Sequence, residues 1–180
     1  MDVIELTGFH GTSKSAAQSI LAEGFKPSEK ISEWLGNGIY FFQNLEAANY
    51  WAKKECQNDP VILQADIRIF DHEWLDMNSP ADEEKYQKFV EQQLNDIKRL
   101  GKPLPVFTNA KGQYDAARER CFWCNLYVIY HGTKMISYKF RDISSPEVTY
   151  GFRKYYSNIQ MCVFDSSIIV DIKEVSSDAI

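Results

Sequence analysis

The chain has 180 residues, enough for one sizeable hydrophobic core and too few for two. Ten Tyr, eleven Phe and four Trp exclude disorder over most of that length. A formal charge of −5 and a pI near 5.3 exclude an extended nucleic-acid platform held by phosphate contacts, though not a nucleic-acid substrate read at one small site.

In chain order, Val3 to Phe9 reads as a first strand, interrupted near its end by Gly8 and closed by a His10-Gly11-Thr12 turn. Ser13 or Ser15 caps a helix whose apolar side is Ala16, Ala17, Ile20 and Leu21. Gly24 stops that helix, Pro27 prevents its continuation, and Lys26 to Trp34 is a polar loop. Gly38 to Phe42 is a short buried strand, and Asn44 caps a second helix with Leu45, Ala48, Trp51 and Ala52 facing inward. Val61, Leu63, Ala65, Ile67 and Ile69 alternate with polar residues, which predicts a half-buried strand.

Asp71 to Lys111 reads as helical, with Tyr86, Phe89, Val90, Leu94, Ile97 and Leu100 on one face and Gly101 and Pro103 closing it. The charges and alanines of Tyr114 to Asn125 favour a further helix, so a helical insertion spans about 71–125. Strands are predicted at Tyr127 to Tyr130, Met135 to Phe140, Ile159 to Phe164 and Ile168 to Val175, with a loop at Ser144-Ser145-Pro146. The expected product is one α+β domain over 1–175 with a ragged tail at 176–180.

The four cysteines are Cys56, Cys121, Cys124 and Cys162. Cys121-x-x-Cys124 lacks a second cysteine pair, and His131 is a poor complement, so buried structural thiols are expected and no metal. No charged-then-apolar leader opens the sequence, and no apolar run approaches the ~20 residues that span a bilayer, so the expectation is a cytoplasmic chain without membrane partners.

The residues with the clearest chemistry lie near the N-terminus. Phe9-His10-Gly11-Thr12-Ser13, then Gly24-Phe25, then Gly36-x-Gly38-Ile39-Tyr40-Phe41, then Ala47 to Ala52, together combine an imidazole, bare backbone and a flat π surface. This layout resembles the ADP-ribosyltransferases of the poly(ADP-ribose)-polymerase, or diphtheria-toxin-like, class. In that family a first strand carries His-Gly, a later strand Tyr and a C-terminal strand Glu. Counting back from Asp165 along Ile159-Gln160-Met161-Cys162-Val163-Phe164, Gln160 stands where the family glutamate would stand. The likeness covers roughly 6–53 and 155–175. A second likeness, Tyr114-Asp115-Ala116-Ala117-Arg118 through Phe122, is to small bacterial and phage-linked ADP-ribosyltransferases, many of them toxins or defence effectors.

The resemblance implies a split antiparallel β-sheet core with flanking helices and NAD as co-substrate. It assigns His10, Gly11, Thr12, Gly38, Tyr40 and Gln160 to the dinucleotide. His10 would hydrogen-bond a ribose hydroxyl, Gly11 would offer backbone to the carboxamide, Tyr40 would stack on nicotinamide, and Gln160 would take a nicotinamide-ribose hydroxyl. A neutral amide at 160 cannot act as a general base, which disfavours chain elongation and leaves single-unit transfer. Another acid would then serve as base: Glu46, Asp115 or Glu119, with Glu119 and Asp115 favoured by the second likeness.

The leading expectation is a mono-ADP-ribosyltransferase acting on a macromolecular acceptor, RNA, DNA or protein, with an antitoxin-like inhibitor as a further expected partner. Two alternatives are a non-enzymatic NAD or ADP-ribose-binding module and an NAD-dependent RNA 2′-phosphotransferase. The latter is disfavoured because only Lys14 and Lys26 are nearby cations, with no arginine in the first 60 residues.

Overall fold

A computed structural model describes residues 2–56, 59–149 and 152–175, with side chains of 145–149 and 152–154 undescribed. The elements are β1 (Val3–Ser13), α1 (Lys14–Glu23), β2 (Ile39–Phe42), α2 (Leu45–Glu55), β3 (Pro60–Phe70), β4 (Trp74–Asp76), α3 (Pro80–Arg99), α4 (Ala116–His131), β5 (Met135–Thr149), β6 (Phe152–Val163) and β7 (Ile169–Glu174). The fold is α+β. Its strands form one mixed sheet in the order β4-β5-β6-β2-β1-β3-β7, antiparallel throughout except for the β4–β5 pair.

Local signals set most helix ends. Ser13 Oγ accepts from Ala16 N at 3.3 Å, Asn44 Oδ1 from Ala47 N at 2.9 Å, and Asp115 Oδ1 from Arg118 N at 3.0 Å, each satisfying a donor the helix itself leaves open. Gly132 ends α4 in the left-handed region at φ 66°, its N–H on Val128 O at 2.9 Å.

The two sheet faces carry different cores. Ile39, Phe41, Ala65, Ile67, Ile69, Met135, Met161 and Val163 fill one, with Phe25 packed against them. On the other, Leu35, Ile136 and Cys162 meet Phe89 of α3 and Cys124 and Tyr127 of α4, while Phe42 and Ile62 meet the Ala47–Ala48 side of α2. Full burial of a side chain such as Phe41 contributes ~1.5–3 kcal/mol, so this double-sided core fixes the register of β2 and β6 beside it.

Four expectations need correction. His10, Gly11 and Thr12 form no turn: they continue β1 and pair with Leu63, Ile62 and Val61, whose apolar run supplies the ladder. Inside the expected helical insertion, Trp74–Asp76 is a strand, held by parallel pairing to Met135–Ser137. Tyr127 to Tyr130 is not a strand but the last turns of α4, because Trp123 and Tyr127 lie four residues apart on one buried helix face. The Ser144-Ser145-Pro146 segment lies within β5, whose register against β6 shifts between Ser144 and Val148 to accommodate it. The predicted tail at 176–180 lies outside the described residues.

Candidate active site

The sheet is nearly parted in its middle. β1 pairs with β3 over its whole length, Val3↔Phe70 to Ser13↔Pro60, but with β2 at one position, Phe9↔Phe42. The strands come close there because Gly8 has no side chain: a Cβ on it would lie 2.8 Å from Phe41 Cβ. Beyond Phe9 the gap is bridged by a side chain. His10 Nδ1 donates to the Tyr40 carbonyl at 2.8 Å.

That contact decides the histidine's tautomer. A carbonyl only accepts, so Nδ1 carries the proton and Nε2 keeps its lone pair. Burial pushes the imidazole below its ordinary pKa, the Tyr40 bond opposing in part, so the neutral form prevails. Phe25 and Phe41 hold the ring edge-on, at centroid distances of 5.1 and 6.0 Å. His10 then lines a cavity of about 410 Å³ with Gly38, Ile39 and Tyr40, closed by Ala16, Ser19 and Ile20 of α1 and by Gly24, Phe25 and Lys26 after it.

Tyr40 is fixed from its hydroxyl. The phenol accepts from Leu35 N and donates to Gly36 O, both at 2.7 Å, and burial holds it protonated far above the usual range. With donor and acceptor both engaged, the ring face rather than the hydroxyl is what Tyr40 can offer a ligand.

The glycines serve close packing. A Cβ on Gly11 would meet Ala48 O at 2.6 Å and Ala52 Cβ at 2.8 Å, so α2 rests directly on the β1 backbone. A Cβ on Gly38 would lie 2.5 Å from Cys162 Sγ and 2.6 Å from Val163 O. Thr12 is half-buried one residue further along β1, opposite Val61.

Gln160 lies two strands from His10, opposite Phe42 of β2 and Tyr138 of β5. It is buried, and its Nε2 donates to Asn158 Oδ1 at 3.1 Å, while Asn158 Nδ2 donates to Arg141 O at 3.2 Å. Among the described residues no donor engages Gln160 Oε1, which leaves it as the acceptor of this relay. By strand alternation the Gln160 and Tyr40 side chains share one sheet face, and His10, beside Phe41, lies toward the other. A ligand touching all three must therefore thread the gap between β1 and β2. Gln160 does not line the His10 cavity.

The candidate acids stand elsewhere. Glu119 lines a separate hollow between α3 and α4 with Tyr86, Glu91 and Trp123, its carboxylate accepting from the Tyr114 hydroxyl. It is not brought to His10 or Tyr40. Asp115 caps α4, and Glu46 lies in the first turn of α2. The two arginines of α4 are engaged with backbone: Arg118 Nη1 on Thr108 O at 2.9 Å and Arg120 Nε on Trp34 O at 2.7 Å. Trp34 packs on Phe140 and Trp51, which anchors its loop. Cys121, Cys124 and Cys162 are buried free thiols, and among the described residues no group of three His, Cys, Asp or Glu side chains could hold a metal. Among the described residues no helix is long and apolar enough to cross a membrane.

Sequence reading placed Phe25 in the layout without its role, which is to seat the imidazole, and missed Asn158, which orients Gln160. Asn158 had a legible signal: it stands two positions before Gln160, hence on the same strand face.

With this geometry in place, residues 5–140 match the model of the poly(ADP-ribose) polymerase catalytic domain. The chain belongs to that family. The match takes in His10, Gly11, Thr12, Gly38, Tyr40 and Glu119 and ends before Gln160. An uncharacterised protein of Methanocaldococcus jannaschii is 31% identical over 83 residues, a stretch that covers 39% of this chain and 39% of the relative. The chain thus matches about two fifths of that relative's length.

Proposed function

We propose that this chain is an NAD-dependent mono-ADP-ribosyltransferase whose dinucleotide crevice is the gap between β1 and β2. The observation that carries the reading is the His10–Tyr40 contact across that gap, which leaves Nε2 as a hydrogen-bond acceptor beside the cavity. His10 Nε2 accepts a ribose hydroxyl of NAD, and the β1 backbone at Gly11 and Thr12, together with Gly38, lines the approach. The Tyr40 ring, immobilised through its hydroxyl, bears the nicotinamide, and Gln160 Oε1 accepts a hydroxyl of the nicotinamide ribose.

Reaction breaks the bond between the ribose C1′ and the nicotinamide nitrogen, with the electron pair leaving on nicotinamide. An acceptor nucleophile forms the new bond to C1′ and gives up a proton. The ribose carries developing positive charge in between, which favours a rigidly oriented sugar. Gln160 is an amide and takes no proton, so transfer stops at one unit. The Glu119 position disfavours it as the base, and the acceptor's own nucleophilicity supplies the difference. The acceptor is a nucleic-acid base or a protein side chain. A toxin or antiphage-effector role with an antitoxin-like inhibitor rests on the likeness around Tyr114 to Phe122, and a cytoplasmic setting on the reading of the four cysteines as reduced thiols.

Incubation of the purified chain with NAD tests this. Nicotinamide should be released, and His10→Ala and Tyr40→Ala should each lower the rate at least tenfold. Ligand binding without nicotinamide release would instead favour a non-enzymatic NAD-binding module.

A further inference from the structure

The α4 helix grips the loop that carries the Tyr40 hydroxyl's two partners. Asn125 Oδ1 accepts from Asn37 N at 2.7 Å, Asn125 Nδ2 donates to Cys121 Sγ at 3.6 Å, and Cys121 Sγ donates to Asn37 Oδ1 at 3.4 Å. At the loop's other end Arg120 Nε holds Trp34 O at 2.7 Å. Between these tethers Leu35 N and Gly36 O take up both hydrogen bonds of the Tyr40 phenol. The fit is close: a Cβ on Gly36 would lie 2.7 Å from Asn125 Oδ1 and 2.9 Å from the Phe164 ring. Any shift of this loop therefore carries the phenol with it.

From this chain of contacts we infer that Asn125, assisted by Arg120, is a positioning residue that sets the plane of the Tyr40 ring from outside the crevice. The inference rests on the reading of Tyr40 as the nicotinamide shelf and adds the element that aligns it. Neither residue lines the His10 cavity, and the hydrogen bonds that join both of them to Tyr40 run through the loop. The device is selective by construction. It acts on the half of the dinucleotide that meets the Tyr40 ring, while the His10 and α1 walls of the cavity, which neither tether touches, stay in place.

Calorimetry with two probes, nicotinamide and ADP-ribose, separates the outcomes. Asn125→Leu removes the Asn37 tether and should weaken nicotinamide at least tenfold while ADP-ribose stays within about twofold. Asn125→Asp keeps an oxygen for Asn37 N–H and should restore nicotinamide binding to within about threefold of wild type. If Asn125→Leu fails to fold, Arg120→Met cuts the other tether and should give the same selective loss. Unchanged nicotinamide affinity in these variants, or equal weakening of both probes without rescue by Asn125→Asp, would overturn the inference. A wild-type chain that binds neither probe would overturn the underlying crevice reading as well.

Discussion

His10 couples the fold to pH. Burial lowers its folded-state pKa from 6.5, so the folded chain favours the neutral ring and the unfolded chain binds the proton more readily. The stability this contributes is complete above the unfolded value and is lost as pH falls through the folded one. The urea midpoint of wild type should therefore drop between pH 7.5 and pH 5 by more than that of His10→Gln, which does not titrate; equal drops would contradict a buried neutral histidine. Nicotinamide release should fall over the same acid range, because protonation removes the Nε2 lone pair. At Gln160 the relay to Asn158 needs an amide donor. Gln160→Glu sets a carboxylate against Asn158 Oδ1 and should cost about 1–3 kcal/mol in stability, read by denaturation, unless Asn158 turns over and abandons Arg141 O.

At the scale of elements, the two kinds of glycine predict different costs. Gly132 has positive φ and no atom near its absent Cβ, so Gly132→Ala should cost ~1 kcal/mol and leave nicotinamide release unchanged. Gly11 has no positive φ but is covered by α2, so Gly11→Ala should cost ~1–3 kcal/mol through overpacking and also disturb the crevice. Paired urea melts and NAD assays check both. The same contrast explains what was legible. Val61 to Ile69 declared itself because five apolar residues alternate over a strand long enough to show a period, and β3 follows that pattern in its burial. Trp74–Asp76 is three residues long, shorter than any period, and exists because β5 offers it a parallel partner from far along the chain. The run Leu126-Tyr127-Val128-Ile129-Tyr130 is apolar all round, so strand and helix read alike until Tyr127 is seen against Phe89 and Tyr86. In the site, the His10, Gly11 and Tyr40 types were legible as a set. The sheet face each occupies, and the distance of Glu119, depend on long-range pairing that sequence spacing does not encode.

Across the whole molecule, two half-sheets, β4-β5-β6-β2 and β1-β3-β7, share cores on both faces, but their backbone ladder is joined at one registered pair and bridged beyond it by one imidazole. That junction is where a bound dinucleotide would stitch the molecule together. The acidic surface, with ion pairs such as Lys26–Glu23 and Arg68–Glu5 largely exposed, contributes little to this by itself. The central claim is spatial, that one NAD molecule passes through the gap and meets both sheet faces. A crystal structure with a non-hydrolysable NAD analogue tests it most directly. The account requires a ribose hydroxyl on His10 Nε2, the nicotinamide against the Tyr40 ring and the adjoining ribose within hydrogen-bond reach of Gln160 Oε1. An analogue seated in the hollow between α3 and α4, or touching His10 while the nicotinamide lies on the same side of the sheet away from Tyr40 and Gln160, would contradict it.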